Sequence, residues 1–356
     1  MLDQNKKVVV VDVISKWGHN ALNSEILTTL QQYGCTVDFI GNETHRTIVD
    51  GRGLNNFTLF KPIREEAFDG PIFGRLRLIE KLQKVAKIIR KEKYDIVLFS
   101  AFDELAMLFW PNVGGKLLLI AHGNISGGRS SFKRFALKRI VTNAHLLVFH
   151  DFIRTRAKEL GVPSVSVMGQ GLTAPYSKIQ LASLEQYLPV QLKSLAQGQR
   201  KTIVFVPSVT KYSDDILLHT LLSPQMDELC SRKGIHFIIK GGKARPLSHV
   251  TMLPQFISKA EYQAVFQLAD TVVLGYPSSF DYRLSAVFIE CISNNKPCVV
   301  SEIDCFRALS KHFRYNPYFG DCGSLVRAIG ESTSIDHPFF GTESFILKIE
   351  ELLNGR

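Results

Sequence analysis

The sequence lacks the features that would place it in several specialised classes of protein. Its six cysteines form no Cys-x-x-Cys pair, so we expect reduced, buried thiols rather than a zinc or redox motif. No uncharged apolar stretch approaches the ~20 residues that a membrane-spanning helix needs. No Asp-x-Asp pair stands on a suitable loop and no His, Asp and Glu cluster has ligand spacing, so we expect neither a metal nor another cofactor. A repeat of fixed period is also absent.

A secretory signal is not expected at the start of the chain. Lys6 and Lys7 precede Val8–Val11, but Asp12 ends the apolar run and no small-residue cleavage site follows. The pattern predicts a buried strand. We therefore expect a cytoplasmic protein, attached at most to the inner face of a membrane.

The length and the order of the elements predict two α/β domains. The chain has 356 residues, 45% of them apolar, which suits two domains with large cores. It opens on a strand, a Gly-containing loop, an amphipathic helix and a second strand, and a second alternating set starts at Lys201. We predict Rossmann-like domains over 1–172 and 173–341, facing across a cleft, with a final helix 342–354 packing back on the first. Ligands of such sheets bind beyond the carboxyl ends of the strands.

Residues 271–300 carry the most informative pattern: a strand, a loop, a helix and another strand. Ser285 is a suitable N-cap for that helix. The free N–H groups behind it would attract an anion such as a diphosphate. Glu290 lies one to two turns into the helix, where its carboxylate would accept hydrogen bonds from vicinal ribose hydroxyls; the alternative is an ordinary helix-surface carboxylate.

This segment resembles the donor site of GT-B glycosyltransferases, especially the retaining family four. Pro277-Ser278, Glu290 and the strand after Pro297 match that family's motif. The resemblance implies that Glu290 holds the ribose, that His122 contacts the donor sugar and that Gly18 lies near the phosphates. For His122 the alternative is a structural histidine.

The sequence also departs from the family. The first carboxylate of the motif falls on Asp281 or on Tyr282, according to the direction of counting, and both assignments stay open. The basic pair that grips the diphosphate falls near Ser208 and Ser213, neither of them basic. Replacements must come from Lys211, Lys240, Lys243 or Arg283, and we prefer Arg283 because a guanidinium binds phosphate with two parallel hydrogen bonds.

The stereochemistry of the reaction stays open at this stage. An inverting enzyme needs a general base, and Asp103, which follows a predicted strand, is our candidate. A retaining enzyme needs little beyond positioning and stabilisation of the leaving group.

We therefore expect a metal-independent, hexosyltransferase-like enzyme. It would move a sugar from a UDP- or GDP-type donor to a glycan or lipid-linked acceptor in surface polysaccharide or glycolipid synthesis. The alternatives are a non-catalytic sugar-nucleotide or glycan-binding paralogue and a sugar-nucleotide epimerase.

Positive charge is concentrated in the first half of the chain. Residues 1–175 hold 24 Lys and Arg against 16 Asp and Glu, whereas the remainder holds 19 against 17. The sequence has no aromatic-basic RNA motif or helix-turn-helix signature, so nucleic acid is not an expected partner. Two basic segments, 81–93 and 133–139, are either solvated helix faces or a contact with anionic membrane.

Overall fold

The chain divides into two compact units. The computed structural model describes residues 6–14, 19–61, 73–125, 130–169, 176, 181–197, 201–207, 215–241, 247–335, 347 and 351. Unit 1 comprises residues 1–171 and 339–356, and unit 2 comprises residues 172–338. Each unit is built on a parallel sheet, which confirms the predicted fold class of two Rossmann-like α/β domains. The predicted helix 342–354 lies outside the described residues except for Leu347 and Glu351.

Unit 1 contains a seven-stranded parallel sheet. Its strands are β1 (Lys7–Asp12), β2 (Thr36–Asn42), β3 (Phe57–Phe60), β4 (Ile96–Phe99), β5 (Lys116–Ile120), β6 (His145–Val148) and β7 (Val165–Val167). They lie in the order β3-β2-β1-β4-β5-β6-β7. The chain runs outward from β1 through β3 and then returns to build the other half from β4. The carboxyl ends of β1 and β4 therefore form the switch point at which ligands bind in open α/β sheets.

The helices of unit 1 follow the strands in alternation. They are α1 (Asn20–Gln32), α2 (Arg46–Val49), α3 (Phe73–Glu92), α4 (Glu104–Met107), α5 (Ser131–Ile140) and α6 (Asp151–Glu159). Val8–Val11 of β1 and Leu118–Ile120 of β5 are fully buried. Parallel strands covered on both faces need such continuous apolar runs, which is why β1 was readable from the sequence.

Unit 2 contains a six-stranded parallel sheet. Its strands are β8 (Thr202–Val206), β9 (Ile235–Lys240), β10 (Val250–Leu253), β11 (Thr271–Leu274), β12 (Cys298–Ser301) and β13 (Tyr318–Phe319). They lie in the order β10-β9-β8-β11-β12-β13, so the switch point falls between β8 and β11. Val204, Phe237, Val273 and Val299 of its central strands are buried in one apolar cluster.

The helices in the described part of unit 2 include one that begins at a proline. They are α7 (Leu181–Tyr187), α8 (Lys193–Gln197), α9 (Asp215–Leu221), α10 (Pro224–Lys233), α11 (Lys259–Leu268), α12 (Ala286–Ser293), α13 (Asp304–Arg307) and α14 (Cys322–Glu331). Residues 215–231, which the sequence pattern predicts to be mainly helical, form two helices. Ser223 caps α10 by accepting from the Met226 N–H at 3.2 Å, and Pro224 occupies the first turn, so a new helix starts there.

Two further sequence expectations concern cysteines and membrane-spanning helices. All six cysteines lie in the described part of the chain and none is in a disulfide; five are buried as predicted, whereas Cys35 is partly exposed. Among the described helices, none is long and apolar enough to cross a membrane.

Gly115 is required by the close approach of the backbone before β5. Its φ is +73°, and a Cβ there would lie 2.4 Å from the Tyr94 carbonyl oxygen. Gly114 has a similar φ of +77°, but a Cβ there would meet nothing within 4 Å. We expect Gly114→Ala to lower the free energy of unfolding by about 1 kcal/mol, from backbone strain alone, and Gly115→Ala by about 3 kcal/mol or more.

Urea unfolding followed by tryptophan fluorescence measures this difference, since Trp17 and Trp110 both belong to unit 1. Equal losses for the two variants would contradict the steric argument.

Candidate functional site

The described part of unit 1 has a cluster of polar side chains at its switch point, centred on Asp12. This residue ends β1 and is fully buried. Its Oδ2 accepts a hydrogen bond of 2.8 Å from Asn23 Nδ2. The same oxygen lies 3.4 Å from His19 Nδ1 and 3.7 Å from His45 Nε2. Burial of a carboxylate is costly, and these three polar neighbours help to offset the cost.

His19 reaches this cluster from the loop after β1. It is the N-cap of α1 and has the left-handed backbone conformation, with φ 68°, which is uncommon for a residue with a side chain. Its imidazole stacks on that of His122, with ring centroids 4.0 Å apart and an interplanar angle of 16°. The side chain is 26% exposed, so the ring extends from the buried carboxylate to solvent.

His45 supports the cluster from the 3-10 turn (Glu43–His45) after β2. Its Nδ1 accepts the Asn42 N–H at 3.1 Å, which leaves the ring proton on Nε2, facing Asp12. Burial lowers the pKa of His45, and this effect outweighs the opposing one of Asp12, so the ring is neutral at pH 7. Gly41 makes room for it, because a Cβ there would lie 2.8 Å from His45 Nδ1.

The structure places His122, which follows β5, in the same cluster. Its Nε2 lies 2.7 Å from the Ser100 carbonyl oxygen, which only accepts, so Nε2 carries the proton. The ring also packs against Phe149, with centroids 5.0 Å apart. The backbone contact fixes the orientation of the ring, and contact with a donor sugar stays a prediction.

Asp103, the predicted general base, stabilises the start of α4. It is the N-cap of α4, where its Oδ1 accepts from the N–H groups of Leu105 and Ala106 at 3.0 and 2.8 Å. Its Oδ2 lies 3.5 Å from Arg75 Nε. Both carboxylate oxygens are therefore engaged within unit 1, since Oδ1 caps α4 and Oδ2 faces Arg75. A catalytic role for Asp103 stays a prediction.

Sequence reasoning missed Asp12, His19 and His45 as site residues. In the sequence, Asp12 is recognisable only as the end of an apolar run. A signal was present nonetheless. A charged residue at the last position of a buried strand faces the ligand edge of a parallel sheet, and a histidine in the following loop is within its reach.

In unit 2 a pocket of about 350 Å³ opens at the carboxyl ends of β11, β12 and β13. It is lined by Leu217, Thr220, Gly275, Tyr276, Ser278, Ser301, Glu302, Ile303, Phe319 and Gly320. Tyr276 and Ser301 form its floor: the Tyr276 N–H donates to Ser301 Oγ at 3.0 Å, and that hydroxyl donates to the Tyr276 carbonyl at 2.8 Å. The two strand ends are thus tied together beneath the loop that precedes α12.

Ser285 begins α12 as predicted. Its Oγ accepts the Phe288 N–H at 3.1 Å and also lies 3.0 Å from the Tyr276 hydroxyl. The serine is 4% exposed, so its hydroxyl serves the cap and the loop.

Glu290 is not an ordinary helix-surface carboxylate. Its Oε2 accepts from the Tyr262 hydroxyl at 2.9 Å, a contact that joins α12 to α11. Burial raises its pKa to about 8, so the group is largely protonated at neutral pH. A partly buried carboxyl with one tyrosine partner is suited to exchange hydrogen bonds with a polar ligand.

The predicted residues just before Ser285 share one turn. Asp281 is buried and its Oδ1 accepts the Asp304 N–H at 3.1 Å, which connects the turn to α13. The Tyr282 hydroxyl donates to Asp304 Oδ2 at 3.5 Å. The Arg283 guanidinium carbon lies 5.7 Å from the ring centre of Phe280, and that ring stacks on Tyr276. Both Asp281 and Tyr282 therefore contact α13, and their donor roles stay predictions.

The remaining candidates are Lys240, Gly18 and Lys211. Lys240 ends β9, where its Nζ donates to the Gln255 carbonyl at 3.0 Å and burial lowers its pKa. Gly18 and Lys211 lie outside the described residues, as do Ser208, Ser213 and Lys243. Within the described part of the chain, no group of three or more His, Cys, Asp or Glu is arranged to hold a metal ion.

Comparison with known proteins identifies the architecture. No protein family and no curated protein matches the chain. Many solved structures share its fold, among them Anabaena HepE in complex with UDP and glucose, with 16% identity, a TM-score of 0.70 and coverage of 99% of this chain and 100% of that one. The Methanocaldococcus jannaschii UDP-GlcNAc 2-epimerase has 12% identity, a TM-score of 0.59 and coverage of 99% of this chain and 100% of that one. The spinosyn forosaminyltransferase SpnP has 12% identity, a TM-score of 0.53 and coverage of 98% of this chain and 99% of that one.

These similarities show that the chain has the GT-B fold, in which glycosyltransferases and an epimerase both occur. At such low identity they define the fold and not the reaction, and they do not single out the retaining family four.

Proposed function

We propose that the protein is a glycosyltransferase that moves a sugar from a nucleoside-diphosphate sugar to the hydroxyl of an acceptor. The observation that carries the proposal is the pairing of His19 with the buried Asp12 at the switch point of unit 1. A partly exposed imidazole backed by a buried carboxylate is an arrangement suited to take a proton from a hydroxyl group. The GT-B fold supplies the expectation of a nucleotide-sugar donor.

His19 is the general base in this mechanism. With Asp12 next to Nδ1, a proton held on that nitrogen leaves the lone pair on Nε2, which takes the acceptor proton as its oxygen attacks the anomeric carbon. The imidazolium formed is stabilised by Asp12. The 3.4 Å separation is longer than a hydrogen bond, as often found before substrate binds. Asn23 and the neutral His45 orient the carboxylate without competing for the proton.

The proposed base favours inversion. A protein base on the acceptor side suits direct displacement, in which the new bond forms opposite the leaving diphosphate. A retaining reaction, with attack on the same face as the leaving group, needs mainly positioning and would not require His19 as a base.

Unit 2 is the proposed donor site. Glu290 would hold the ribose, and the diphosphate would lie at the N-terminus of α12 behind Ser285. Arg283, Lys240 and Lys211 are the proposed sources of positive charge, so that the leaving diphosphate needs no metal ion. HepE was solved with UDP and glucose, which makes UDP-glucose the first donor to test.

The proposal extends to the donor, the acceptor and the pathway. We infer a UDP- or GDP-type hexose donor, a glycan or lipid-linked acceptor, and a place in surface polysaccharide or glycolipid synthesis at the inner face of the membrane.

A nucleotide panel tests the donor site. We expect one of UDP, GDP, CMP, ADP and dTDP to raise the melting temperature equally with and without magnesium, and Glu290→Ala to remove most of that increase. If no nucleotide stabilises the protein, the donor assignment is wrong and a glycan-binding role becomes the better hypothesis. Stabilisation without any turnover would instead support a non-catalytic paralogue.

The epimerase among the structural neighbours defines the second candidate function. NMR of the reaction separates the two: a transferase releases nucleotide only with an acceptor and forms the opposite anomer, whereas an epimerase changes the donor sugar without any acceptor.

A further inference from the structure

Helix α5 exposes an unusual combination of side chains on its solvent face. Phe132 and Phe135, three residues apart, are each 60% exposed. Arg134, Lys138 and Arg139 are exposed beside them, and α5 contains no acidic residue. Single exposed apolar residues are common, but two aromatic rings adjacent to three cations on one short helix form a patch. We call these five residues the α5 face.

The orientation of α5 is fixed by its opposite side. Ala136, Leu137 and Ile140 are buried against unit 1. Lys133, the fourth cation of the helix, lies 2.9 Å from Glu104 Oε1 and so points toward α4. The α5 face therefore cannot be covered by rotation of the helix without exposing its apolar anchors.

A third exposed aromatic side chain extends the apolar part of this surface. Phe109, just after α4, is also 60% exposed. Its neighbours Leu108 and Trp110 line one pocket together with Arg139 and Ile140 of α5. Aromatic and cationic groups thus continue from α5 onto the adjoining segment.

The other basic segment of unit 1, residues 81–93, contains no aromatic residue, and part of its charge is not available at the surface. Lys81, predicted on a solvated face of α3, is buried instead, with its Nζ donating to Asn42 Oδ1 at 3.1 Å and to the Lys61 carbonyl at 2.8 Å. Lys84 lies 2.7 Å from Glu80. Part of the charge on α3 is therefore internal or paired.

We propose that the α5 face docks on the surface of an anionic lipid membrane. The phenylalanines would enter the boundary between headgroups and acyl chains, while Arg134, Lys138 and Arg139 contact anionic headgroups. The long stems of Lys and Arg suit this position, since they pack along apolar surface while the charge stays at the interface. A protein partner would have to cover the same rings and supply acidic groups to all three cations.

The α5 face is connected to the candidate site of unit 1. Asn124 Nδ2 donates to Glu104 Oε2 at 2.9 Å, and Glu104 pairs with Lys133 of α5. Asn124 follows His122 by two residues. Because the N-terminal end of α5 contacts this edge of the sheet, we infer that the docked enzyme takes a lipid-linked acceptor, a step that rests on the proposed function.

Vesicle flotation of the full chain without donor tests docking independently of any reaction. Vesicles of phosphatidylcholine alone are compared with vesicles containing about 30% phosphatidylglycerol, at about 50 and 500 mM salt. We expect binding to the anionic vesicles at low salt, weaker by about tenfold or more at high salt or on neutral vesicles.

Two sets of substitutions locate the contact. Phe132→Ser with Phe135→Ser should weaken binding at least about tenfold, because buried apolar area is lost. Arg134→Gln, Lys138→Gln and Arg139→Gln together should weaken it about 100-fold, at roughly fivefold for each charge.

Matched controls come from unit 2. Phe256→Ser removes an aromatic ring that is 81% exposed, and Arg232→Gln with Lys233→Gln removes exposed cations from α10; neither should change binding. Thermal melting verifies that each variant is folded. Absence of low-salt binding, or equal binding by the wild type and both α5 variants, would overturn the proposal. So would a dimer in sedimentation velocity that dissociates on the phenylalanine substitutions, since a second copy would then occupy the face.

Discussion

His19→Ala is expected to lower the rate of sugar transfer by about 10³-fold, within the range that general-base catalysis supplies. The physical reason is that the acceptor hydroxyl loses the only proton acceptor that the proposed mechanism gives it. Affinity for the nucleotide should not change, because the proposed donor residues belong to unit 2. Initial rates with UDP-glucose, or with the donor identified by the nucleotide panel, measure the effect.

Asp12→Asn tests the carboxylate behind the histidine. The side chain keeps its size, but it loses the negative charge that stabilises the imidazolium. We expect a loss of about 10² to 10⁴-fold in kcat with little change in nucleotide affinity. A variant that merely disturbed folding would also lower the melting temperature and the affinity for the nucleotide.

Asp103→Asn is the matched control, because asparagine is as good an N-cap as aspartate. It should keep α4 and the transfer rate nearly intact. If Asp103→Asn abolishes transfer while His19→Ala does not, the general base is Asp103 and the proposed mechanism is wrong. Agreement of the His19 and Asp12 effects, together with an active Asp103→Asn, would support the pair.

The fold could be predicted from the sequence where elements are central and buried. Continuous apolar runs made β1, β5 and β11 recognisable, since each is covered on both faces. The strands that the pattern did not reveal were β3, β10 and β13, and all three lie at the edges of their sheets. Both residues of β13 are only partly buried and β3 begins with the exposed Phe57, so the apolar signal is weak where the covering layers end.

The candidate site residues also differ in how far the sequence alone could reveal them. The segment from Tyr276 to Glu290 is contiguous, so its loop, cap and carboxylate could be read from one stretch of sequence. Asp12, His19 and His45 come from the ends of two strands and the loops that follow them. Their proximity depends on the neighbouring positions of β1 and β2 in the sheet, which no local pattern encodes.

Glu290→Gln is expected to stabilise the protein at pH 8 but hardly at pH 5. Burial raises the pKa of Glu290 from 4.5 to about 8, so the folded state binds its proton more tightly than the unfolded state. The wild type therefore loses stability as pH rises from about 4.5 to 8, whereas glutamine has no charge to bury. At about 1.4 kcal/mol for each pH unit, and with partial solvent access, the difference at pH 8 should be roughly 2–4 kcal/mol. Thermal or urea unfolding over this pH range measures it.

Glu228→Gln makes the same chemical change at an exposed position of α10 and should alter stability by less than about 0.5 kcal/mol at either pH. If the free energy of unfolding depends on pH in the same way for the wild type and for Glu290→Gln, burial of the Glu290 charge carries no cost.

Nucleotide binding should reverse the preference of Glu290 for its protonated form. Two ribose hydroxyls donating to the Glu290 carboxylate favour its ionised state, so binding near pH 7 should release a proton. Calorimetry in buffers of different ionisation enthalpy detects that proton, and Glu290→Gln should abolish its release while weakening the nucleotide about tenfold or more. Unchanged affinity in Glu290→Gln would remove the ribose role. Weaker binding without proton release would mean that the carboxyl stays protonated and donates a hydrogen bond, so that Glu290 would recognise the ribose as an acid rather than as a carboxylate.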